Sequence, residues 1–290
     1  MKKIILLLPV YNDWDSLFKV LNEINSVIKD IQEYQFKCII VNDSSTIKKP
    51  KITKPKNFNS LKIINMKENR GHARCIASGL KHIYEKEEFD YVIPMDGDGE
   101  DRPEEIKSFV EYLNYTSDKP IVGERVQRSE GLLFKICYKI HKILTFAFTG
   151  QSIKFGNYTC LPRTTVEKMI NDKATWSSFS GSLTKLEKDR SIIPSIRGSR
   201  YFGPSKMSFK NLIIHSLAII SVFKINVLIR SIMFLLVYIF LIHQNISVIM
   251  LIPIPLIILL IIMVFYISKR ESLDEINNSQ INISNIDNIK

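Results

Sequence analysis

At 290 residues the chain has room for one sizeable core and an appendage, and its 46% apolar content is concentrated toward the C-terminal end. A formal charge of +11 and a pI near 9.3 point to an anionic partner (nucleic acid, an acidic lipid surface or phosphorylated substrates) without choosing among them. The four cysteines, Cys38, Cys75, Cys137 and Cys160, have neither CxxC pairing nor histidines at zinc spacing, which argues against a disulfide framework or a structural metal and fits a reducing compartment.

Met1-Lys2-Lys3 followed by Ile4 to Leu8 opens like a signal peptide, but Pro9 cuts the apolar run short and no small-residue cleavage site follows. Lys3 to Val10 therefore reads as a strand buried on both faces of a parallel sheet, with the N-terminus in the cytosol. Asp13 or Asp15 can cap a helix carrying Leu17, Val20, Leu21, Ile24, Ile28 and Ile31 at helical spacing. Phe36 to Val41, Leu61 to Asn65 and Tyr91 to Met95 read as further strands, and Gly71 to Tyr84 as a helix with Ala73, Ile76, Leu80 and Ile83 on one face. Pro103 suits the first turn of a helix through Ile106, Phe109, Val110 and Leu113, with Glu104 and Glu105 near its positive end. Alternating strands and helices predict a doubly wound, mostly parallel α/β sheet with ligands beyond the C-terminal ends of the strands.

Leu132 to Phe148 is a basic amphipathic helix with Lys135, Lys139, His141 and Lys142, whereas residues 149–204 carry no readable period. Two apolar segments follow, near 227–242 and 246–267, each close to the ~20 residues that cross a bilayer. Arg230 lies near an end and can snorkel, and Pro253 and Pro255 can kink the second segment. Lys206, Lys210, Lys224 and Arg230 precede the pair, Lys269 and Arg270 follow it, and the loop His243-Gln244-Asn245 has no Lys or Arg, so the positive-inside rule puts both termini in the cytoplasm. The expected organisation is a catalytic domain over 1–204, an interfacial amphipathic helix over 205–225, a transmembrane hairpin over 226–268 and a polar tail over 269–290 whose Asn- and Ser-rich composition predicts disorder.

Asp96-Gly97-Asp98 directly after the strand Tyr91-Val92-Ile93-Pro94-Met95 carries the clearest chemical signal. Two carboxylates one residue apart at a strand end can approach a divalent cation together and leave positions open for the phosphate oxygens of a nucleoside diphosphate; Mg2+ or Mn2+ suits such an oxygen environment. An EF-hand register fails, because Asp101 stands where Gly is needed and Lys107 where Glu is needed. A solvated acidic turn capping the next helix is the plain alternative.

These motifs, in this order, resemble the family 2 glycosyltransferases with the GT-A fold, most closely the dolichol-phosphate mannosyltransferases and bacterial polyprenyl-phosphate glycosyltransferases. The resemblance covers Ile4 to about Val126 and returns around Arg197 to Lys210 and in the paired membrane helices. By resemblance, Pro9-Val10-Tyr11-Asn12 lines the nucleotide base, and Asp43 of Val41-Asn42-Asp43-Ser44-Ser45 contacts it, with Asn42 replacing the family's first aspartate. Asn69-Arg70-Gly71-His72-Ala73 resembles the Asn-x-Gly segment that lets backbone approach the donor; His72 is read as structural. Asp96, Asp98 and Glu100 then become metal contacts, Glu100 standing where relatives often carry glutamine. Arg125 of Gly123-Glu124-Arg125 meets the diphosphate or acceptor phosphate and is, with Asp98, catalytic. Lys139, Arg200 and Lys206, the latter two in an Arg-x-x-Gly-x-Ser-Lys segment, face the acceptor phosphate or serve only anionic lipid. Phe155-Gly156-Asn157-Tyr158-Thr159-Cys160 departs from the family's sugar-side segment, which puts the sugar in doubt.

The implied activity is metal-dependent, inverting transfer from a nucleotide-sugar donor to a membrane polyprenyl phosphate. Another lipid-linked acceptor, or a non-catalytic membrane scaffold of the same fold, stands as the alternative. A sugar nucleotidyltransferase is opposed by the missing Gly-rich first-strand loop, a processive polysaccharide synthase by the missing Gln-x-x-Arg-Trp, and nucleic-acid binding by the lack of a separable basic module. Whether the chain forms a homo-oligomer is left open.

Overall fold

A computed structural model describes residues 1–290 apart from 117, 128–131 and 205–207, and all side chains but those and residues 127, 132–138 and 141. The described residues form two compact units, one of 1–129, 154–206 and 272–290, the other of 130–153 and 207–271.

The first unit is built on strands β1 Lys2–Val10, β2 Tyr34–Asn42, β3 Ser60–Met66, β4 Tyr91–Pro94, β5 Ile121–Gln127, β6 Thr159–Pro162, β7 Ser191–Ile196 and β8 Ile283–Ile289. They run in the order β7-β5-β6-β4-β1-β2-β3-β8. Strand β1 lies between β2 and β4 and is parallel to both, with Leu6 opposite Cys38 and Ile93. This central place explains its unbroken apolar run. Ile4, Leu6 and Leu8 enter one core layer beneath helices α1 Trp14–Ile28 and α3 Glu105–Leu113. Ile5 and Leu7 enter the opposite layer beneath α2 His72–Lys86, α5 Arg163–Ile170 and α6 Phe179–Leu186. All five are fully buried, each contributing about 1.5–3 kcal/mol by leaving water.

The sheet is mixed. Strand β6 runs antiparallel between β4 and β5, and β5 is parallel to β7. Residues 149–204, which carry no readable period, thus supply two strands, two α-helices and a short 3-10 helix, Lys173–Trp176. The expectation of a disordered tail is overturned: α11 Leu273–Asn277 and β8 return to the first unit, and β8 pairs antiparallel with the edge of β3, Ile63 opposite Asp287. Backbone pairing along that edge, and Ile276 fully buried in the second core layer, offset the ordering cost of a polar segment.

The second unit holds α4 Leu132–Thr149, α7 Phe209–Ser221, α8 Lys224–Ile242, α9 Val248–Leu251 and α10 Pro253–Ser268. Ile220, Val227 and Val264 form its small core. In the most apolar stretches of the two long helical segments only 11% of residues are buried, so these helices are long and apolar enough to cross a membrane and are not core helices of this chain. Arg230 donates from Nη1 to the Ala147 carbonyl (3.1 Å), and Asn226 donates to that of Thr149 (3.2 Å). Both side chains therefore cap the C-terminal end of α4, where free carbonyls favour donors and positive charge. Pro253 starts α10 after a break at Ile252, since proline cannot donate into the preceding turn.

Candidate active site

Strand β4 ends at Pro94, and the acidic turn begins two residues on. The turn is fastened by Asp101, a residue that motif reasoning passed over: its buried carboxylate accepts the backbone N–H of Asp96 (2.9 Å). Asp98 Oδ1 accepts the N–H of Glu100 (3.0 Å), an Asx turn that aims the 98 and 100 side chains to the same side. Gly99 sits at φ +91°, and a Cβ there would lie 2.6 Å from the Tyr201 ring, so both backbone conformation and packing require glycine. Asp96, Asp98 and Glu100 each present an oxygen, all within 4.8 Å of one another. A hard cation with oxygen ligands fits that donor set.

Each of these carboxylates has a basic partner. His72, at the start of α2, lies 3.3 Å from Asp96 Oδ1 through Nε2, and Asn157 reaches both His72 (2.6 Å) and Asp96 (3.5 Å). His72, read as structural for lack of a partner, has one in Asp96. Arg200 Nη1 lies 2.8 Å from Asp98 Oδ2, and its Nη2 pairs with Asp13. Arg197 pairs with Glu100. Asp13 occupies the N-cap position of α1 but makes no capping bond to the helix backbone; its carboxylate accepts Ser16 Oγ (2.7 Å) and serves Arg200. Arg200 stood in the Arg-x-x-Gly-x-Ser-Lys segment as a candidate for the acceptor phosphate, whereas Arg197 was marked only by its place ahead of the apolar end, and neither carboxylate partner was expected.

The acidity of the cluster is uneven. Burial opposes the Asp96 carboxylate, but the His72 hydrogen bond and charge, with Arg197 and Arg125 beyond, outweigh it and hold its pKa below the ordinary value. Desolvation opposes the His72 imidazolium, yet the Asp96 hydrogen bond and charge lift its pKa. Burial and the Asp96 charge raise Asp98. Glu100 is pushed up to about 7 by burial, with Arg197 opposing and Asp98 adding to the rise, and Asp101 to about 7 by burial and Asp96. Asp96 is thus the most acidic carboxylate of the cluster.

Arg125, on β5, lies 3.9 Å from Asp101 through Nη2, and its backbone N–H donates to Lys154 (3.1 Å). A Cβ on Gly156 would sit 2.6 Å from Nη2, so the segment that departs from the family pattern keeps glycine where the guanidinium passes. Tyr158 is fully buried, donates to the Arg102 carbonyl (2.8 Å) and meets Phe109 edge-on at 4.9 Å.

On the other side of β1, Asp43 accepts the N–H groups of Arg70 (3.0 Å) and Gly71 (2.9 Å). Asp43 is buried, which raises its pKa, while these two donors work in the opposite direction. Its carboxylate thereby ties the end of β2 to the Asn69-Arg70-Gly71 turn. Asn12, at φ +52°, accepts the N–H groups of Thr46 (2.8 Å) and Ile47 (3.0 Å) through Oδ1. Pro9 is buried in β1, while Tyr11 (39%) and Asn69 are exposed. The structure brings Asp96, Asp98 and Glu100 together, links Arg200 to them, and links Asp43 to Gly71. Lys139 is exposed on α4 in the second unit, and Lys206 lies outside the described residues. Cys38, Cys75 and Cys160 are free and buried.

The sequence profile of glycosyl transferase family 2 matches residues 5–174, more than half of the chain. The chain belongs to glycosyl transferase family 2. Among curated relatives, the undecaprenyl-phosphate 4-deoxy-4-formamido-L-arabinose transferase of Photorhabdus laumondii is 30% identical over 224 residues, covering 73% of this chain and 65% of the relative. That of Klebsiella pneumoniae strain 342 is 27% identical over 221 residues, covering 73% and 64%. The chain therefore spans just under two thirds of the length of these relatives. Among solved structures, Mycobacterium tuberculosis glucosyl-3-phosphoglycerate synthase with Mn2+, UDP and glucosyl-3-phosphoglycerate aligns at a TM-score of 0.54 and 12% identity, over 78% of this chain and 80% of that one. Staphylococcus aureus TarS 1–349 with UDP-GlcNAc aligns at 0.50 and 13% identity, over 80% and 70%. The mixed sheet of this family 2 chain is accordingly a GT-A fold, as its motif order predicts.

Proposed function

We propose that this chain transfers a sugar from a nucleotide-sugar donor to undecaprenyl phosphate or a similar polyprenyl phosphate, with inversion at the anomeric carbon and dependence on Mg2+ or Mn2+. The observation that carries the reading is the carboxylate cluster of Asp96, Asp98 and Glu100 at the end of β4, ringed by His72, Arg197 and Arg200. Support comes from the family, from relatives whose names specify undecaprenyl phosphate, and from a similar fold solved with Mn2+ and UDP.

The donor would lie beyond the ends of β1, β2 and β4, its base against Pro9, Tyr11 and Asn12 and its diphosphate toward the acidic turn. Asp43 then acts through the Asn69–Gly71 turn, whose backbone it fixes for close approach to the donor. Asp96, Asp98 and Glu100 would hold the cation, which when bound offsets charge on the diphosphate. Arg125 stabilises the departing nucleoside diphosphate, a charge that grows as the glycosidic bond breaks. The acceptor phosphate oxygen is already ionised near neutral pH, so the attack needs no strong general base. Arg200, beside Asp98, supplies positive charge for that phosphate. The helices α8 and α10 anchor the chain in the membrane with the catalytic unit and both termini on the cytoplasmic face.

The test is label transfer. Full-length protein in detergent is incubated with undecaprenyl phosphate, Mn2+ or Mg2+ and labelled nucleotide sugars, and organic-phase label is counted. Lipid-extractable label from one donor that disappears with EDTA is the expected result. No labelled lipid from any donor, with an active control enzyme, refutes the acceptor assignment; label transferred to another lipid-linked acceptor, with release of the nucleoside diphosphate, would then identify the alternative.

A further inference from the structure

The C-terminal segment 272–290 reaches the donor side of the first unit by two separate routes. The first is a chain of amides. Asp287 Oδ2 accepts Asn65 Nδ2 (3.0 Å) and also pairs with Lys49. Asn65 Oδ1 accepts Asn42 Nδ2 (3.0 Å), Asn42 Oδ1 accepts the N–H of Ser45 (3.0 Å), and Ser45 Oγ accepts the N–H of Asn12 (2.9 Å). The second route is ionic. Glu275 lies 2.5 Å from Arg70 Nη1, whose backbone N–H is bound by Asp43, and the Asn282 carbonyl accepts the N–H of Lys67 (2.7 Å).

These routes meet at the adjacent residues Asn42 and Asp43, and through them reach two segments that the proposed function assigns to the nucleotide, at Asn12 and at Asn69–Gly71. We propose that residues 272–290 are a positioning element of the nucleotide pocket, with Asp287 and Glu275 holding its turns in binding geometry. This rests on the donor reading above.

The relay also accounts for asparagine at position 42. Each amide in it donates on one side and accepts on the other, so the direction of the chain is set by its carboxylate end at Asp287. Asn42 is 9% exposed, which makes a mismatched group there costly. A carboxylate at position 42 still accepts from Ser45, but it no longer donates to Asn65. Asn65 then stands between two carboxylates: Nδ2 still donates to Asp287, but Oδ1 faces the carboxylate at 42 and has no donor in the relay. Replacing Asp287 by asparagine at the same time reverses the Asn42–Asn65 part of the relay: the new amide nitrogen donates to Asn65, its oxygen keeps the Asn285 bond, and Lys49 loses its carboxylate to solvent.

The experiment measures binding of UDP, GDP and CDP, each with Mn2+, to the full chain in detergent by calorimetry, with melting temperatures recorded in parallel. Asp287→Asn, Glu275→Gln and Asn42→Asp should each weaken nucleotide binding about five- to tenfold, with melting temperatures of the two tail variants held within about 2 °C, and Asn42→Asp/Asp287→Asn should return to within about twofold of wild type. In turnover, the two tail variants should raise KM for the donor and leave kcat unchanged. Wild-type protein that binds none of the nucleotides contradicts the donor reading and this proposal with it. Wild-type binding with unaffected variants, or losses in Asn42→Asp and Asp287→Asn that simply multiply in the double variant, overturns the positioning role alone.

Discussion

The two halves of the site hold their carboxylates by different means. Asp43 and Asp101 are buried and bound by backbone N–H groups, two on Asp43 and that of Asp96 on Asp101. Asp13 and Glu100 are held by the guanidinium groups of Arg200 and Arg197, on one short segment after β7, and Asp98 is shared between Arg200 and the Glu100 N–H. Backbone donors cannot leave without unfolding a turn, whereas an arginine can exchange a carboxylate for a phosphate or yield it to a cation. The first arrangement gives a rigid floor, and the second gives exchangeable charge where phosphates and a metal are proposed to meet.

Several measurements sharpen this contrast. The largest effect is expected from Arg125→Ala, which removes proposed transition-state charge stabilisation and should lower kcat by about 10²–10³-fold with unchanged melting. An equal fall in binding and none in kcat would place Arg125 in ground-state recognition. Asp43→Ala strips both backbone donors of their acceptor in a buried turn; thermal or denaturant unfolding should show a loss of about 2 kcal/mol. A fall of under half that size would mean that the turn is held by other bonds.

The exchangeable half should respond to pH. The pKa of Glu100 is raised to about 7, so the group is mainly protonated at pH 6 and ionised at pH 8. A cation takes the ionised form, so affinity rises as pH climbs through that value, and Mn2+ titrations should show binding about tenfold weaker at pH 6 than at pH 8. In stability terms the raised pKa has the opposite sign. The folded state binds the Glu100 proton more tightly than the unfolded chain, so this group's contribution to stability declines from the ordinary carboxylate value up to about pH 7. Mn2+ affinity independent of pH across this range would remove Glu100 from the ligand set.

Legibility in the sequence follows the same divide. Strand β1 and its two neighbours were readable because a central strand must be apolar on both faces, and Ile4 to Leu8 obey that rule. The acidic turn was readable because a short-range spacing specifies it. His72 as a partner of Asp96, Asp13 as a partner of Arg200 and Arg197 as a partner of Glu100 were not, since each pair joins segments that only the fold brings together. The tail misled for a different reason. Its isoleucines, Ile283, Ile286 and Ile289, recur every three residues, a period of neither strand nor helix, and the strand exists because the edge of β3 supplies the partner. Asn42, the apparent lapse in a family motif, is explained by Asn65 and Asp287, contacts invisible from its own stretch of chain.

The most direct test compares wild-type protein with Asp96→Ala for Mn2+-dependent sugar transfer to undecaprenyl phosphate, with melting curves from the same preparations. The account predicts at least about a thousandfold loss of transfer and little change in melting. Transfer at the wild-type rate by folded Asp96→Ala would contradict the assignment of the acidic turn as the centre of the reaction.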